Sequence, residues 1–214
     1  MGKQSKGELT RQAIVDETRR IFNKEGFAMT LSELASKLDI SMGKITHHFP
    51  TKDHLFVGLS KAYQEEFNAL QSSFSWAEGF SFAKLHELIG LIMDLQYKHR
   101  CLMLIACSTG LNQRVMLKQI TASWKSDMQG VYALVAALVN AGLLDKDIQA
   151  ERNLAHFQFQ FINLFTTWLV SLTLYDRGKK YGQVKPIYQR GLLMCFYPFL
   201  TAKGKKEMTP LLGN

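Results

Sequence analysis

The chain has 214 residues, enough for one large or two small domains, and 47% of them are hydrophobic, which is sufficient for a substantial core. The net charge of +8 permits an anionic partner. Residues 1–60, however, hold nine Lys or Arg against seven Asp or Glu, so this segment is only mildly basic. The composition excludes a wholly disordered chain, and bulk charge alone is weak support for nucleic-acid binding.

The cysteines and the apolar segments indicate in which cellular compartment the protein is expected. Cys101, Cys107 and Cys195 are an odd number in apolar surroundings without C-x-x-C spacing, which is typical of buried, reduced thiols. The N-terminus is polar and lacks the apolar segment of a signal peptide. The longest apolar run, 157–175, is interrupted by amide and hydroxyl side chains, so we expect a buried helix there. A cytoplasmic protein without a membrane partner is predicted.

The first two helices follow from periodicity and capping signals. Apolar spacing predicts a helix over about residues 9–25, ended by Gly26, where a left-handed backbone carries no Cβ penalty. Thr30 and Glu33 form a capping box, in which each side chain satisfies a backbone N–H near the helix start. A second helix is therefore predicted over about residues 31–38.

A third helix follows after a tight turn. Asp39 occupies the turn, where Asp tolerates a positive φ better than most residues, and Ser41 is the next N-cap. The third helix is predicted over about residues 42–49, and Thr51 is a further N-cap directly after Pro50. Two short helices joined by a turn then occupy about twenty residues, which is the size of a DNA-binding helix-turn-helix.

The two sides of the third helix differ in chemistry. At 100° per residue, Met42, Ile45 and Phe49 fall on one side and are predicted to pack against the first two helices. The other positions carry small or polar side chains that fit a major groove about 12 Å wide. These positions are Gly43 and His47 on the opposite side, Lys44 and Thr46 on the flanks, and His48 near the edge of the buried stripe.

The remainder is predicted to be helical, and no strand-like alternation stands out. Gly142 is expected to end one helix in a Schellman motif, and Pro186 to lie in the first turn of the last helix. Residues 203–214 are expected to fray. The predicted helices cover about residues 52–74, 82–98, 101–109, 113–141, 148–175 and 186–197. The fold class is therefore all-α with about nine helices.

The N-terminal residues fit a family pattern. Over about residues 9–60 the sequence resembles the N-terminal domain of the tetracycline-repressor (TetR) family. That pattern is a helix, G-F, T, a helix, V-S-x-G-x-[LI]-Y-H-[YH]-F, then P-[ST]-K before a long fourth helix. The matching residues are Gly26-Phe27, Thr30, Ile40-Ser41, Gly43, Ile45, His47, Phe49-Pro50 and Thr51-Lys52. The resemblance implies a homodimer with one helix-turn-helix per subunit reading the major groove of a roughly palindromic operator.

The resemblance also assigns roles to positions. Lys44 and Thr46 lie where the family makes recognition-helix contacts, and His47 and Lys52 lie where it usually meets phosphates. The sequence departs from the family at four positions: Thr46 replaces a common Tyr, Ser32 stands where Arg is frequent, Met42 where Lys or Arg is common, and Asp39 in place of the turn glycine. The residues predicted to bind DNA are Thr30, Ser41, Gly43, Lys44, Thr46, His47, His48, Thr51 and Lys52.

A small apolar or aromatic effector is the second predicted partner. Aromatic and methionine side chains after residue 60 can line a pocket between the fourth and eighth helices, although each alone is more typical of a core. Aromatic residues cover more than one side of the eighth helix, so we expect dimerisation through helices 8 and 9. The predicted pocket residues are Phe67, Leu70, Phe74, Met93, Met103, Met116, Trp124, Phe161, Phe165 and Trp168.

The predicted organisation is a three-helix helix-turn-helix domain over residues 1–52 and an effector-binding and dimerisation domain over 53–214, bridged by the fourth helix. We interpret the chain as a DNA-binding transcriptional regulator, specifically a ligand-released repressor. The alternative is a helical small-molecule carrier or sensor with a degenerate DNA-binding head. An enzyme is not expected, and no cofactor is. No metal site is expected either, because His47 and His48 diverge by 100° on the helix.

Overall fold

The protein is described by a computed structural model over residues 5–76, 79–108 and 128–213. These residues form ten α-helices, turns and two short 3₁₀ segments, and no β-strand occurs among them. The predicted all-α fold is confirmed. The helices are α1 Lys6–Glu25, α2 Leu31–Lys37, α3 Met42–His48, α4 Lys52–Ser73, α5 Phe82–Lys98, α6 Arg100–Ser108, α7 with 128–140 described, α8 Glu151–Leu174, α9 Tyr181–Met194 and α10 Ala202–Leu212.

The chain divides into two compact units. Unit 1 comprises Met1–Asn68 and Lys98–Ile120, and unit 2 comprises Ala69–Tyr97 and Thr121–Asn214. Helix α4 therefore contributes residues to both units. The assignment of DNA binding to residues 1–52 and of effector binding to residues 53–214 stays a prediction.

Side-chain caps begin the helices of unit 1. Thr30 Oγ1 accepts a hydrogen bond from the Glu33 N–H at 3.2 Å, and the Glu33 carboxylate accepts one from the Thr30 N–H at 2.6 Å. Ser41 Oγ accepts from the Lys44 N–H at 3.1 Å. Both caps confirm the prediction. A further capping box at Ser5 begins α1 earlier than the sequence pattern indicated.

The core of unit 1 is built from α1 to α4 together with α6. Leu34 and Phe49 are fully buried, and the rings of Phe22 and Phe56 meet edge to face with centroids 6.3 Å apart. Cys101 and other apolar residues of α6 belong to the same cluster. No pattern in the sequence predicts that α6 packs in this unit.

Gly58 permits a close approach between α4 and the end of α3. A Cβ at this position would lie 2.8 Å from Cε1 of Phe49 and 3.3 Å from Cγ2 of Val15. Real Cβ atoms do not approach a ring carbon so closely, so a side chain here would displace Phe49. The distance between α4 and the residue that follows α3 therefore depends on this glycine.

A buried histidine and a carboxylate link α4 to the start of α6 in unit 1. The His99 side chain is fully buried, with Nε2 3.1 Å from Oε1 of Glu66, and Lys98 Nζ donates to Oε2 of Glu66 at 2.5 Å. Burial lowers the pKa of His99, and Glu66 opposes this only in part. Burial raises the pKa of Glu66, but the Lys98 hydrogen bond and the His99 ring outweigh it, so the net shift is downward.

This arrangement predicts a pH-dependent stability. Because the pKa of His99 in the folded chain lies below its ordinary value of 6.5, the unfolded chain binds the proton more tightly. The free energy of unfolding should therefore fall as pH drops through the window just below 6.5. Urea unfolding at about pH 5.5 and about pH 7.5 should show a smaller difference for His99→Gln than for the wild type. The exposed His156→Gln is the control, and an unchanged pH dependence in His99→Gln contradicts the prediction.

Unit 2 is held together by aromatic stacking and buried amides. Trp168 Nε1 donates to Oε1 of Gln96 at 2.5 Å, and Gln96 donates to the carbonyl of Phe165 at 3.2 Å. The rings of Tyr97 and Tyr181 stack with centroids 4.0 Å apart, and Trp168 stacks on Tyr181. These contacts fix α8 and α9 against α5.

Two predictions about the C-terminal third are wrong. Helix α9 begins at Tyr181, not near Pro186, because Gln183 caps it by accepting from the Lys180 N–H at 3.2 Å. Residues 202–212 form α10 and do not fray, since Thr201 caps that helix. The predicted Schellman end at Gly142 is confirmed, with the Leu143 N–H bonded to the Leu138 carbonyl at 3.0 Å and a φ of 71° at the glycine.

The prediction that all three cysteines are buried is also wrong. Cys101 is buried and Cys195 is half-buried, but Cys107 is exposed. Cys107 lies about 120° around the helix from Cys101, so both cannot face the same core. The three thiols are free.

Candidate nucleic-acid interface

Two buried apolar side chains pack α3 against the core of unit 1. Ile45 and Phe49 are completely buried, as predicted, but Met42 is 43% exposed and its predicted burial is wrong. Met42 is the first residue of α3, and its side chain lies at the edge of the core, where solvent still reaches it. The helix is only seven residues long, which makes the Ser41 cap and the Phe49 anchor important for its position.

The outer face of α3 is open. A Cβ added at Gly43 would have nothing within 4 Å, and the side chains of Lys44 and His47 are exposed. Neither Lys44 nor His47 forms an ion pair within the part of the chain that the structure describes. This face can therefore present a cation and an imidazole without first breaking a salt bridge.

Thr46 offers a methyl group more readily than a hydroxyl. Its Oγ1 donates to the carbonyl of Met42 at 2.9 Å, with the carbonyl of Gly43 at 3.3 Å. The hydroxyl proton is thus used within α3. The methyl group remains for apolar contact, which in the major groove is characteristic of contact with thymine.

The two histidines at the end of α3 touch each other. The rings of His47 and His48 meet edge to face with centroids 5.0 Å apart, and His48 is half-buried. Burial lowers the pKa of His48, and the positive charges of His47, Arg11 and Lys44 lower it further. At neutral pH, His48 is therefore expected to be uncharged when no anion is present.

The remaining predicted DNA-binding residues lie at helix starts. Thr30 uses its hydroxyl to bond Glu33, as described above, and Thr51 Oγ1 lies 2.7 Å from Nδ1 of His54. Lys52 is half-buried, with Nζ 5.6 Å from the centroid of the Phe56 ring. Burial lowers the pKa of Lys52, and Glu33 opposes that shift. Lys52 must therefore extend away from this ring to reach a phosphate.

Arg11 of α1 is a further candidate that no sequence pattern predicts. Its guanidinium carbon lies 4.7 Å from the centroid of the Phe49 ring, and its charge acts on His48. The signal available in the sequence was weak, because Arg11 lies far from α3 along the chain and outside the quoted family pattern. Its proximity to the end of α3 becomes visible only in the folded unit.

The predicted pocket residues do not all lie in one unit. In unit 1, Phe67 stacks on Tyr63 and Met103 is packed against the core cluster. Met116 and Trp124 lie outside the described residues. The others belong to unit 2: Leu70 and Phe74 are half-buried, Met93 is fully buried, Phe161 stacks between Phe157 and Phe165, and Trp168 is buried against Gln96.

A short capped helix with an open polar face, anchored in the core by Ile45 and Phe49, is the arrangement of the second helix of a DNA-binding helix-turn-helix. Residues 14–59 match the model of the family described as bacterial regulatory proteins, tetR family. The resemblance predicted from the sequence is therefore confirmed over residues 14–59. No curated protein matches the chain.

Solved structures that share this fold align with most of the chain. A TetR-family transcriptional regulator from Marinobacter aquaeolei VT8 is 16% identical with a TM-score of 0.81, covering 95% of this chain and 97% of that one. The SmeT–triclosan complex is 13% identical with a TM-score of 0.65, covering 91% and 93%. The multidrug binding protein EbrR complexed with imidazole is 19% identical with a TM-score of 0.53, covering 87% and 89%. These likenesses concern the fold.

Two further properties concern other possible partners. Among the described residues, no group of three or more histidine, cysteine or acidic side chains is placed to hold a metal ion. None of the described helices combines the length and the apolar character needed to cross a membrane.

Proposed function

We propose that the protein is a transcriptional repressor that binds a palindromic operator as a homodimer and is released by a small apolar or aromatic ligand. The observation that carries this proposal is the open face of α3 in the domain matched by the family model. Gly43 lets the backbone approach the groove, Lys44 can donate to guanine O6 and N7, and the Thr46 methyl can meet thymine.

An exposed apolar surface on unit 2 supports the homodimer. We define the α8–α9 face as Phe159, Leu164, Ile187, Gly191 and Met194. Phe159 is 69% exposed, Ile187 58% and Met194 46%, which is unusual for such large apolar side chains. Gly191 has open space where a Cβ would be and lines a shallow groove with Phe159 and Met194. A second copy of the same face would bury these groups in an isologous contact.

The ligand part of the proposal is supported by the aromatic content of unit 2 and by two structures of similar fold. SmeT was solved with triclosan and EbrR with imidazole. We assign the effector of this chain to the C-terminal domain, with Phe161, Phe165 and Trp168 as contact residues. To regulate, the effector must bind the DNA-bound and free states with different affinity. A coupling of roughly 1–3 kcal/mol changes operator affinity about 5- to 150-fold.

A gel shift with the DNA upstream of the chain's own gene tests the proposal. Sequence-specific binding that weakens as salt rises is expected, because each phosphate contact releases counterions. The competing function is a small-molecule carrier with a degenerate head, which the half-buried position of Lys52 favours. Retained binding of hydrophobic dyes without any sequence-specific DNA binding would establish the carrier instead.

A further inference from the structure

Arg11 is a fixed cation beside the end of α3. It is half-buried, its guanidinium lies over the Phe49 ring, and no carboxylate pairs with it within the described ranges. The carboxylate of Glu8, three residues earlier in α1, accepts a hydrogen bond from the Ser5 N–H at 2.7 Å. Stacking on an aromatic face holds the guanidinium plane while its N–H groups remain available at the edge. Arg11 is therefore oriented without being neutralised.

His48 lies in the field of that cation. The charged and titratable groups that act on it are Arg11 from α1 and Lys44 and His47 from its own helix, and none is a carboxylate. An anion placed between α1 and the end of α3 would relieve the repulsion among these groups. A DNA phosphate is such an anion, and the adjacent open face of α3 is the part of the domain that would enter the groove.

We propose that Arg11 and His48 together bind one phosphate of the operator backbone, and that His48 takes up a proton from solvent when they do so. The proposal rests on the proposed function, since it names a contact and a regulation of the same DNA-binding surface. Arg11 supplies two parallel N–H donors to the phosphate oxygens, and the imidazolium of His48 supplies a third donor. The phosphate keeps its charge, and the only covalent change is the N–H bond formed on His48.

The direction of the proton linkage follows from the charges. In the free protein the pKa of His48 lies below its ordinary value of 6.5, because of burial and the neighbouring cations. A bound phosphate attracts the imidazolium and raises that pKa. At a pH between the pKa of His48 in the free protein and its higher pKa in the DNA complex, binding is accompanied by uptake of a proton. Operator affinity therefore rises as the pH falls through this window. At a pH above both pKa values, the operator affinity no longer changes with pH because of His48.

The salt dependence of binding tests the Arg11 contact. The probe is a duplex that the wild-type protein selects from a random-sequence pool. Arg11→Gln should bind it roughly tenfold more weakly at low salt and should reduce the slope of log K against log salt by about 1. Arg11→Lys should keep the slope. The matched control is Arg20→Gln, an exposed arginine of the same helix that pairs with Glu17, and its slope should equal that of the wild type.

Calorimetry in two buffers of different ionisation enthalpy tests the proton uptake by His48. At about pH 6.5 the wild type should take up a proton on binding the duplex, and His48→Lys should take up none while binding tightly at about pH 8. His47→Gln should retain the uptake, since the proton is assigned to His48, which shares its phosphate with Arg11. Thermal unfolding of each variant verifies that it is folded before its binding is compared.

The results distinguish a failure of the Arg11–His48 contact from a failure of the proposed DNA-binding function. If the wild type selects no duplex, the proposed function itself fails. If it selects one and Arg11→Gln keeps the wild-type slope, the Arg11 contact is refuted while DNA binding stands. If proton uptake persists in His48→Lys and disappears in His47→Gln, the proton belongs to His47 and the proposal is overturned.

Discussion

A Lys44→Ala, His47→Ala double variant is expected to lose operator affinity by about a hundredfold or more while remaining folded. Both side chains are exposed on α3. A base contact by Lys44 is worth about 1–3 kcal/mol of discrimination, and a charge-assisted phosphate contact by His47 is worth about 1.5–3 kcal/mol. Neither residue belongs to the core cluster, so the free energy of unfolding should change by less than about 0.5 kcal/mol. Fluorescence anisotropy with the selected duplex and urea unfolding measure the two quantities.

A matched variant distinguishes groove contacts from loss of charge alone. Lys61→Ala removes an exposed lysine of α4 in the same unit, and its operator affinity should stay within a few-fold of the wild type. If the double variant binds the operator as tightly as Lys61→Ala does, the outer face of α3 is not the surface that reads DNA. That result would leave the fold assignment untouched and move the interface elsewhere on unit 1.

A Phe159→Asp, Met194→Asp double variant is expected to be monomeric. The two side chains lie on the α8–α9 face, and a carboxylate buried against its symmetry-related copy meets a like charge. Light scattering should therefore give the mass of one chain. Operator affinity should fall at least a hundredfold, because the second half-site no longer benefits from the effective concentration set by the first.

The control places an aspartate on a different exposed apolar residue of unit 2. Leu91 of α5 is 40% exposed, and Leu91→Asp should leave both the mass and the operator affinity unchanged. A wild-type chain that is already monomeric at micromolar concentration would refute the α8–α9 homodimer. A double variant that remains dimeric would move the interface to another surface.

Local capping chemistry made the N-terminal helices predictable. Thr30 and Ser41 act within a few residues of themselves, so the sequence contains the whole interaction. The positive φ of 51° at Asp39 is likewise a property of one residue in a tight turn. Where the deciding interaction is local, prediction and structure agree to within about one turn of helix.

Interactions between distant segments were not predictable in the same way. Nothing near Cys101 indicates that α6 packs with α1, since that contact depends on Asn23, whose side chain accepts from the Cys101 N–H at 2.9 Å. A first-turn position for Pro186 predicts a start of α9 that is too late, because the Gln183 cap lies about a turn earlier.

In the candidate interface, too, the features set by local geometry are predictable and those set by contacts between distant segments are not. The outward set of Gly43, Lys44 and His47 follows from helix geometry alone, whereas the exposure of Met42 depends on where the core ends. Arg11 could not be linked to α3 from the sequence, because its contact with Phe49 arises from the packing of α1 against the end of α3.

Gly58 has a consequence for how this regulator could change over evolutionary time. The glycine lies in α4, apart from the face assigned to DNA, yet its missing side chain makes room for Phe49 directly behind the last residue of α3. A methyl group at position 58 would push that ring outward and tilt α3 without altering any base-contacting side chain. Preference for operator spacing could thus drift through a position that never touches DNA, while the amino acids that read the bases stay the same.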